Sequence, residues 1–183
     1  MFEPLTPLGQ AEPQTVTIGP FTICERVDTA LASLATRRNR DADVAGAAKG
    51  AGIPLPPPGR QANATFAAFW LAPGMWMIEA PFATHEDIRA HLLAIFGDAA
   101  SITEQTDAWV RFDLAADTLP ALLERLCNVD LARAAVGAAT RTVIDHLGCY
   151  LIKRSDREIT LYGPRASAQT LHHALTVAAT SLA

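Results

Sequence analysis

The chain has 183 residues and a formal net charge of −4, and half of it is apolar, with 7% aromatic and 19% charged residues. A chain of this length buries roughly two thirds of its unfolded surface, needs no covalent staple, and is too apolar to be disordered. It has no global basic field to hold nucleic acid, and its longest apolar run, Phe66 to Met77, is broken by Pro73 and Gly74 and is too short to span a bilayer.

Alanine supplies about a fifth of the residues, and Lys49 and Lys153 are the only lysines among many arginines, a bias that fits a GC-rich, bacterial coding genome. Cys24, Cys127 and Cys149 are odd in number and lie in apolar segments, so they read as buried thiols. Met1-Phe2-Glu3-Pro4 puts an acid and a proline where a secretory leader needs positive charge and then an apolar helix, which points to the cytoplasm.

In chain order, residues 1–14 form an extended arm with Pro4, Pro7 and Pro13. Thr15 to Val27 holds two strand-like runs broken by Gly19-Pro20. Asp28 is placed to cap a short helix whose apolar face is Leu31, Leu34 and Ala35. Arg37, Arg38 and Arg40, followed at once by Asp41 and Asp43, read as a solvated loop or helix end. A weak alanine-rich helix is expected over 41–51, with Gly46 and Gly50 against it. Ile53 to Arg60 carries four prolines and is an extended loop.

Thr65–Ala72 and Met75–Ala80, around Pro73-Gly74, are a hairpin. A helix is expected from Thr84 to Phe96, with Thr84 and Asp87 as a capping box, Ile88, Leu92, Ile95 and Phe96 on one face, and Gly97 as its stop. Strands follow at 99–103 and 108–114, then a helix from Thr118 that accepts Pro120 in its first turn. Three short strands (140–147, 149–154 and 158–162) have turns at Leu147-Gly148 and Ser155-Asp156-Arg157. A last helix buries Leu171, Ala174, Leu175, Ala178 and Leu182. The two halves loosely repeat a β-α-β-β-α unit, which defines an α+β fold with mostly antiparallel sheet and helices on one face. Residues 15–183 are expected to be a single domain of two pseudo-repeats.

Chemistry is hard to find. His85, His91, His146, His172 and His173 include no i, i+4 pair, the chain has no Cys-x-x-Cys, and His85 and His91 are expected on different sides of their helix. Gly46 to Gly52 meets neither a Walker nor a dinucleotide spacing around Lys49. There is no G-x-S-x-G elbow. Asp145-His146 reads as a polar pair on an edge strand before it reads as a base and its orienting acid. Asp107, Asp113 and Asp117 flank a strand and a helix start, Asp117 where a cap or dipole role suffices. Trp76, just past the hairpin turn, would be a partner contact if exposed. No catalytic, cofactor-binding or metal-binding residue is assigned.

A family resemblance adds to this. Phe69-Trp70-Leu71-Ala72-Pro73-Gly74-Met75-Trp76-Met77-Ile78 resembles the W-L-G-P-x-x-W-L segment of the gamma subunits of heterotetrameric sarcosine oxidases, preceded by Leu55-Pro56 as in that family. Ser101 to Val110 stands at its V-D-x-S-D strand, Leu122 to Leu131 resembles its helix exit before Asp-Leu, and Thr140-Arg141-Thr142 to Arg154 its Arg-Thr strand and hairpin. Ala72, Gly74-Met75, Thr106, Ala115-Ala116 and Gly163-Pro164-Arg165 depart from the pattern.

The resemblance implies a fold similar to the folate-binding domain of glycine-cleavage aminomethyltransferases. It also implies a non-catalytic subunit of a complex that oxidises sarcosine to glycine. That complex uses FAD, FMN, NAD and tetrahydrofolate held by other subunits, so none is expected on this chain. The implied partners are alpha, beta and delta subunits, met through the Ile53–Arg60 loop and the proline-rich arm. The rival expectation is a stand-alone folate-binding or one-carbon-transfer protein of the aminomethyltransferase fold.

Overall fold

Side chains that alternate across a pleated backbone dictate where this chain forms sheet. The computed structural model describes residues 5–183; Met1–Pro4, which carry part of the expected arm and the leader argument, lie outside them. Strands β1 (Thr15–Ile18), β2 (Phe21–Arg26) and β3 (Thr29–Thr36) come first, followed by helix α1 (Asp41–Ala51). Next are β4 (Gln61–Asn63), β5 (Ala67–Ala72), β6 (Met75–Pro81), α2 (Ile88–Phe96), β7 (Ala100–Glu104), β8 (Trp109–Ala115) and α3 (Leu119–Leu123). The chain closes with β9 (Ala139–Ile144), β10 (Leu147–Lys153), β11 (Glu158–Pro164) and α4 (Ala168–Thr180). Every strand pairing among the described residues is antiparallel. None of their helices is long and apolar enough to cross a membrane.

Two compact units result. One is Asp28–Asp107; the other combines the segment up to Val27 with Ala108–Ala183. The first has the sheet order β4-β5-β6-β3-β7. Its core gathers Leu34, Ile78 and Ile102 from the sheet, Val44 and Ala48 from α1, and Ile88, Leu92 and Phe96 from α2. Each fully buried aliphatic side chain here is worth roughly 1.5–3 kcal/mol. Helix α1 tolerates Gly46 and Gly50 because packing outweighs the roughly 1 kcal/mol that each costs. It ends at Gly52, whose left-handed φ of 67° lets its N–H reach the carbonyls of Ala48 and Lys49.

The second unit has the order β1-β2-β8-β11-β10-β9. Its core joins Phe21, Ile23, Phe112, Leu114, Leu151, Ile159 and Leu161 with Leu119, Leu122, Leu171 and Leu175 of α3 and α4. Buried polar groups hold its irregular segments. The Glu25 carboxylate accepts from the backbone N–H groups of Leu8 (2.9 Å) and Gln14 (3.1 Å). The buried Lys153 ammonium donates to the carbonyls of Leu131 (3.3 Å) and Ala134 (3.0 Å) and pairs with Asp156 (3.0 Å).

The α+β duplication is present, and its unit is longer than the sequence pattern gave. Each repeat runs strand, helix, three strands, helix, strand: β3-α1-β4-β5-β6-α2-β7 and β8-α3-β9-β10-β11-α4, with β2 in the last place. The strand that closes the second repeat is therefore supplied from the start of the chain.

Four local expectations are corrected. Leu31, Leu34 and Ala35 are spaced like a helical face, yet they lie in β3, between β6 and β7, with Ala30, Ala32 and Leu34 buried on one face and Leu31 among half-buried neighbours on the other, so no clean apolar–polar alternation marks the strand. Helix α2 starts at Ile88, not Thr84: Asp87 caps it by accepting from the Ala90 N–H (2.8 Å), while the Thr84 hydroxyl turns back to the Pro81 carbonyl. The helix after Thr118 stops at Leu123. The turn between β9 and β10 is Asp145-His146, not Leu147-Gly148. Both residues have positive φ (47° and 66°), as a two-residue hairpin with the twist of its strands requires.

Left-handed backbone costs an L-residue about 1–2 kcal/mol and glycine almost nothing. His146→Gly should therefore raise stability by about 1 kcal/mol, seen as a higher urea midpoint with an unchanged slope.

Candidate functional site

The pleat that sends Val110, Phe112 and Leu114 of β8 into the core sends Arg111 and Asp113 to the other face of the sheet. Its neighbours β2 and β11 align with it. Cys24 and Thr160 lie opposite Asp113, Arg26 lies opposite Arg111, and Thr22 and Glu158 lie opposite Ala115. Residues directly opposite across antiparallel strands share a face and come within reach of one another. With Arg154 they line a cleft of about 300 Å³.

Asp113 is the hub of this cleft. Arg111 donates from Nε (3.0 Å) and Nη2 (2.8 Å) to its two oxygens, a bidentate pair. The Thr160 hydroxyl donates to Asp113 Oδ1 (2.7 Å), and Arg154 Nε donates in turn to Thr160 Oγ1 (3.0 Å). Arg26 Nε stands 3.8 Å from Asp113 Oδ2. Two guanidinium groups thus face the Asp113 carboxylate and a third, Arg154, reaches it through Thr160, with Glu158 as the other acid on the lining. The Arg111 side chain is 21% exposed, against 32% for Asp113 and 41% for Arg26. The chemistry such a set can do is to hold an anion.

The residues singled out from sequence are scattered. Of Asp107, Asp113 and Asp117, only Asp113 reaches this cleft. Asp107 lies in a 3₁₀ turn, and Asp117 pairs with Arg157 (2.9 Å) on an exposed surface, so its expected capping role is replaced by an ion pair. Asp145 and His146 are turn residues, not an edge-strand pair. His85 and His91 are brought together, contrary to expectation, with ring centroids 4.9 Å apart and both beside Phe66. His85 precedes α2, so the helical wheel does not govern it.

His172 packs against the Phe112 ring, and burial holds its imidazole below the ordinary histidine range. No group of three or more His, Cys, Asp or Glu suited to a metal ion occurs among the described residues. Trp76 is half-buried, and its indole N–H donates to the Pro56 carbonyl (2.8 Å), which makes it an anchor for the proline loop. The basic cluster becomes a turn whose Arg40 grips Asp98 with both Nη atoms (3.0 and 3.1 Å) and also bonds Asp43. That pairing pushes the Arg40 guanidinium up and the Asp98 carboxyl down from their usual ranges.

No family model matches this sequence, and no curated protein matches it. Solved structures do. A chain of a heterotetrameric sarcosine oxidase from Corynebacterium sp. U-96 superposes with a TM-score of 0.76 at 19% identity, over 91% of this chain and 88% of that one. The glycine cleavage system aminomethyltransferase T from Bartonella henselae superposes with a TM-score of 0.62 at 13% identity, over 85% of this chain and 48% of that one. The chain thus spans about half the length of the aminomethyltransferase. These likenesses show the fold alone: an α+β architecture shared with that sarcosine oxidase chain and with the aminomethyltransferase.

Among the thiols, Cys149 is buried, and desolvation pushes it up to about 11. The thiolate is the reactive form. At pH 8, iodoacetamide should therefore leave Cys149 unlabelled in the native protein and label it after denaturation, while the half-buried Cys24 and Cys127 react first, as read by peptide mass spectrometry.

Proposed function

We propose that this chain is a gamma-type subunit of a heterotetrameric sarcosine oxidase, non-catalytic and serving assembly, in a bacterial cytoplasm. In this reading, residues 15–183 act as one domain of two repeats, with 1–14 as an arm. FAD, FMN, NAD and tetrahydrofolate reside on the larger partner subunits, and the complex carries out the demethylation of sarcosine to glycine. The observation that carries the reading is the superposition on a sarcosine oxidase chain, which takes in nearly all of both chains, whereas the aminomethyltransferase extends well beyond this one. The sequence segments Phe69–Ile78 and Thr140–Arg154 support it independently.

A docking face for such partners needs exposed apolar surface. Val143, on the outermost strand β9, and Val177, on α4, are separate exposed apolar side chains, 59% and 54% exposed, that such contacts could cover. Co-expression with alpha, beta and delta subunits should yield one stoichiometric complex that carries flavin absorbance and retains this chain through gel filtration. A chain that stays monomeric and never co-elutes with them overturns the proposal.

The second reading is a stand-alone folate-binding or one-carbon-transfer protein, favoured by the superposition on the aminomethyltransferase over most of this chain. It requires saturable quenching of Trp70, Trp76 and Trp109 by tetrahydrofolate; a flat titration rejects it.

A further inference from the structure

We propose that the cleft between β2, β8 and β11 is a binding site for a small oxyanion, a carboxylate- or phosphate-bearing molecule held by Arg26, Arg111 and Arg154. The proposal goes beyond the assembly role and does not depend on it.

Charge is the first argument. The ionised groups that line the cleft are three guanidiniums and two carboxylates, Asp113 and Glu158, which leaves it one positive charge in excess inside a chain that is acidic as a whole. Geometry is the second. The three arginines come from β2 (Arg26), β8 (Arg111) and the residue just after β10 (Arg154), and they converge only because the sheet sets these strands in the order β2-β8-β11-β10. Asp113 shows what the cleft recognises, since its carboxylate takes a bidentate Arg111 contact and the Thr160 hydroxyl at 2.7 Å. Arg154 is aimed by its own bond to Thr160, and Arg26 Nε stands 3.8 Å from Asp113 Oδ2, the oxygen that Arg111 Nη2 also bonds.

A planar guanidinium fork matches a carboxylate or a phosphate, and Thr22, Thr160 and Cys24 add neutral polar groups around it. The volume, about 300 Å³, lies at the small end of ligand pockets, which suits a compact anion. Asp113 is then the internal competitor of that ligand: it keeps the arginines folded against the sheet and sets the affinity low enough for exchange.

The test uses the full chain at low ionic strength, titrated in parallel with inorganic phosphate and with glutarate by calorimetry. Saturable binding of either supports the site, and the tighter of the two identifies the headgroup. Arg26→Gln should weaken binding by about tenfold, the size of one charge-assisted hydrogen bond. Arg26→Lys, which keeps the charge and loses the fork, should fall between. Asp113→Asn, if it melts cooperatively, should tighten binding, whereas a purely structural ion-pair network predicts no anion binding in either protein. Absence of saturation with both probes into the tens of millimolar overturns the proposal. So does an equal loss in Arg133→Gln, at a remote and 89% exposed arginine side chain.

Discussion

The antiparallel pairing of β2 with β8 is the constraint on which the larger unit rests. Five registered residue pairs, from Thr22–Ala115 to Arg26–Arg111, join strands separated in the chain by the whole of Asp28–Asp107. Closing a flexible loop of that length costs roughly 4 kcal/mol in chain entropy. The intervening unit reduces this because its own sheet places β3, where it begins, beside β7, where it ends. The Thr106 hydroxyl bonds the backbone of Leu31, and Gln105 N–H donates to the Leu31 carbonyl, so the two ends of the unit are tied at the same edge. A folded insert with adjacent ends behaves as a short connection. The β2–β8 ladder can then form as though the two strands were near neighbours.

Strand β8 converts that ladder into both a core and a site. Its period of two sends Val110, Phe112 and Leu114 beneath α3 and α4 and leaves Arg111 and Asp113 on the open face. A slip of one residue in register would exchange the two sets and bury a guanidinium. The requirement to bury the apolar set therefore also fixes the arginine cleft. The same economy appears at Glu25, which sits on the core side of β2 and spends its charge on the backbone of the N-terminal segment.

Much of the fold is legible in the sequence. The Pro73-Gly74 hairpin, helix 41–51 and the three closing strands follow from local turn chemistry and apolar spacing, and the doubled α+β plan follows from their order. The failures have common physical causes. In β3, Thr-Ala-Leu-Ala-Ser-Leu-Ala-Thr carries apolar side chains on both faces, so no alternation marks it, and its leucines fall by chance at helical spacing. Asp145 suits a left-handed turn, but His146 stands where glycine usually follows it, so the local signal points instead to the nearby Leu147-Gly148. The cleft is only half legible from sequence. Arg111 and Asp113 could be paired from the alternation of β8, but Arg26 and Arg154 join them only through a strand order that no local pattern encodes.

The two repeats share a spatial order of strands while their covalent orders differ, as if one ring of elements had been opened at two different places. The first stretch of the chain is therefore not a tail on the Ala108–Ala183 segment but a structural part of its sheet. Proteolytic trimming there would remove β1 and β2 and turn β8 from an interior strand into an edge. Its freed row of N–H and C=O groups would then be open to pairing with other chains. Integrity of the N-terminal hairpin is thus a safeguard against self-association as well as a source of stability.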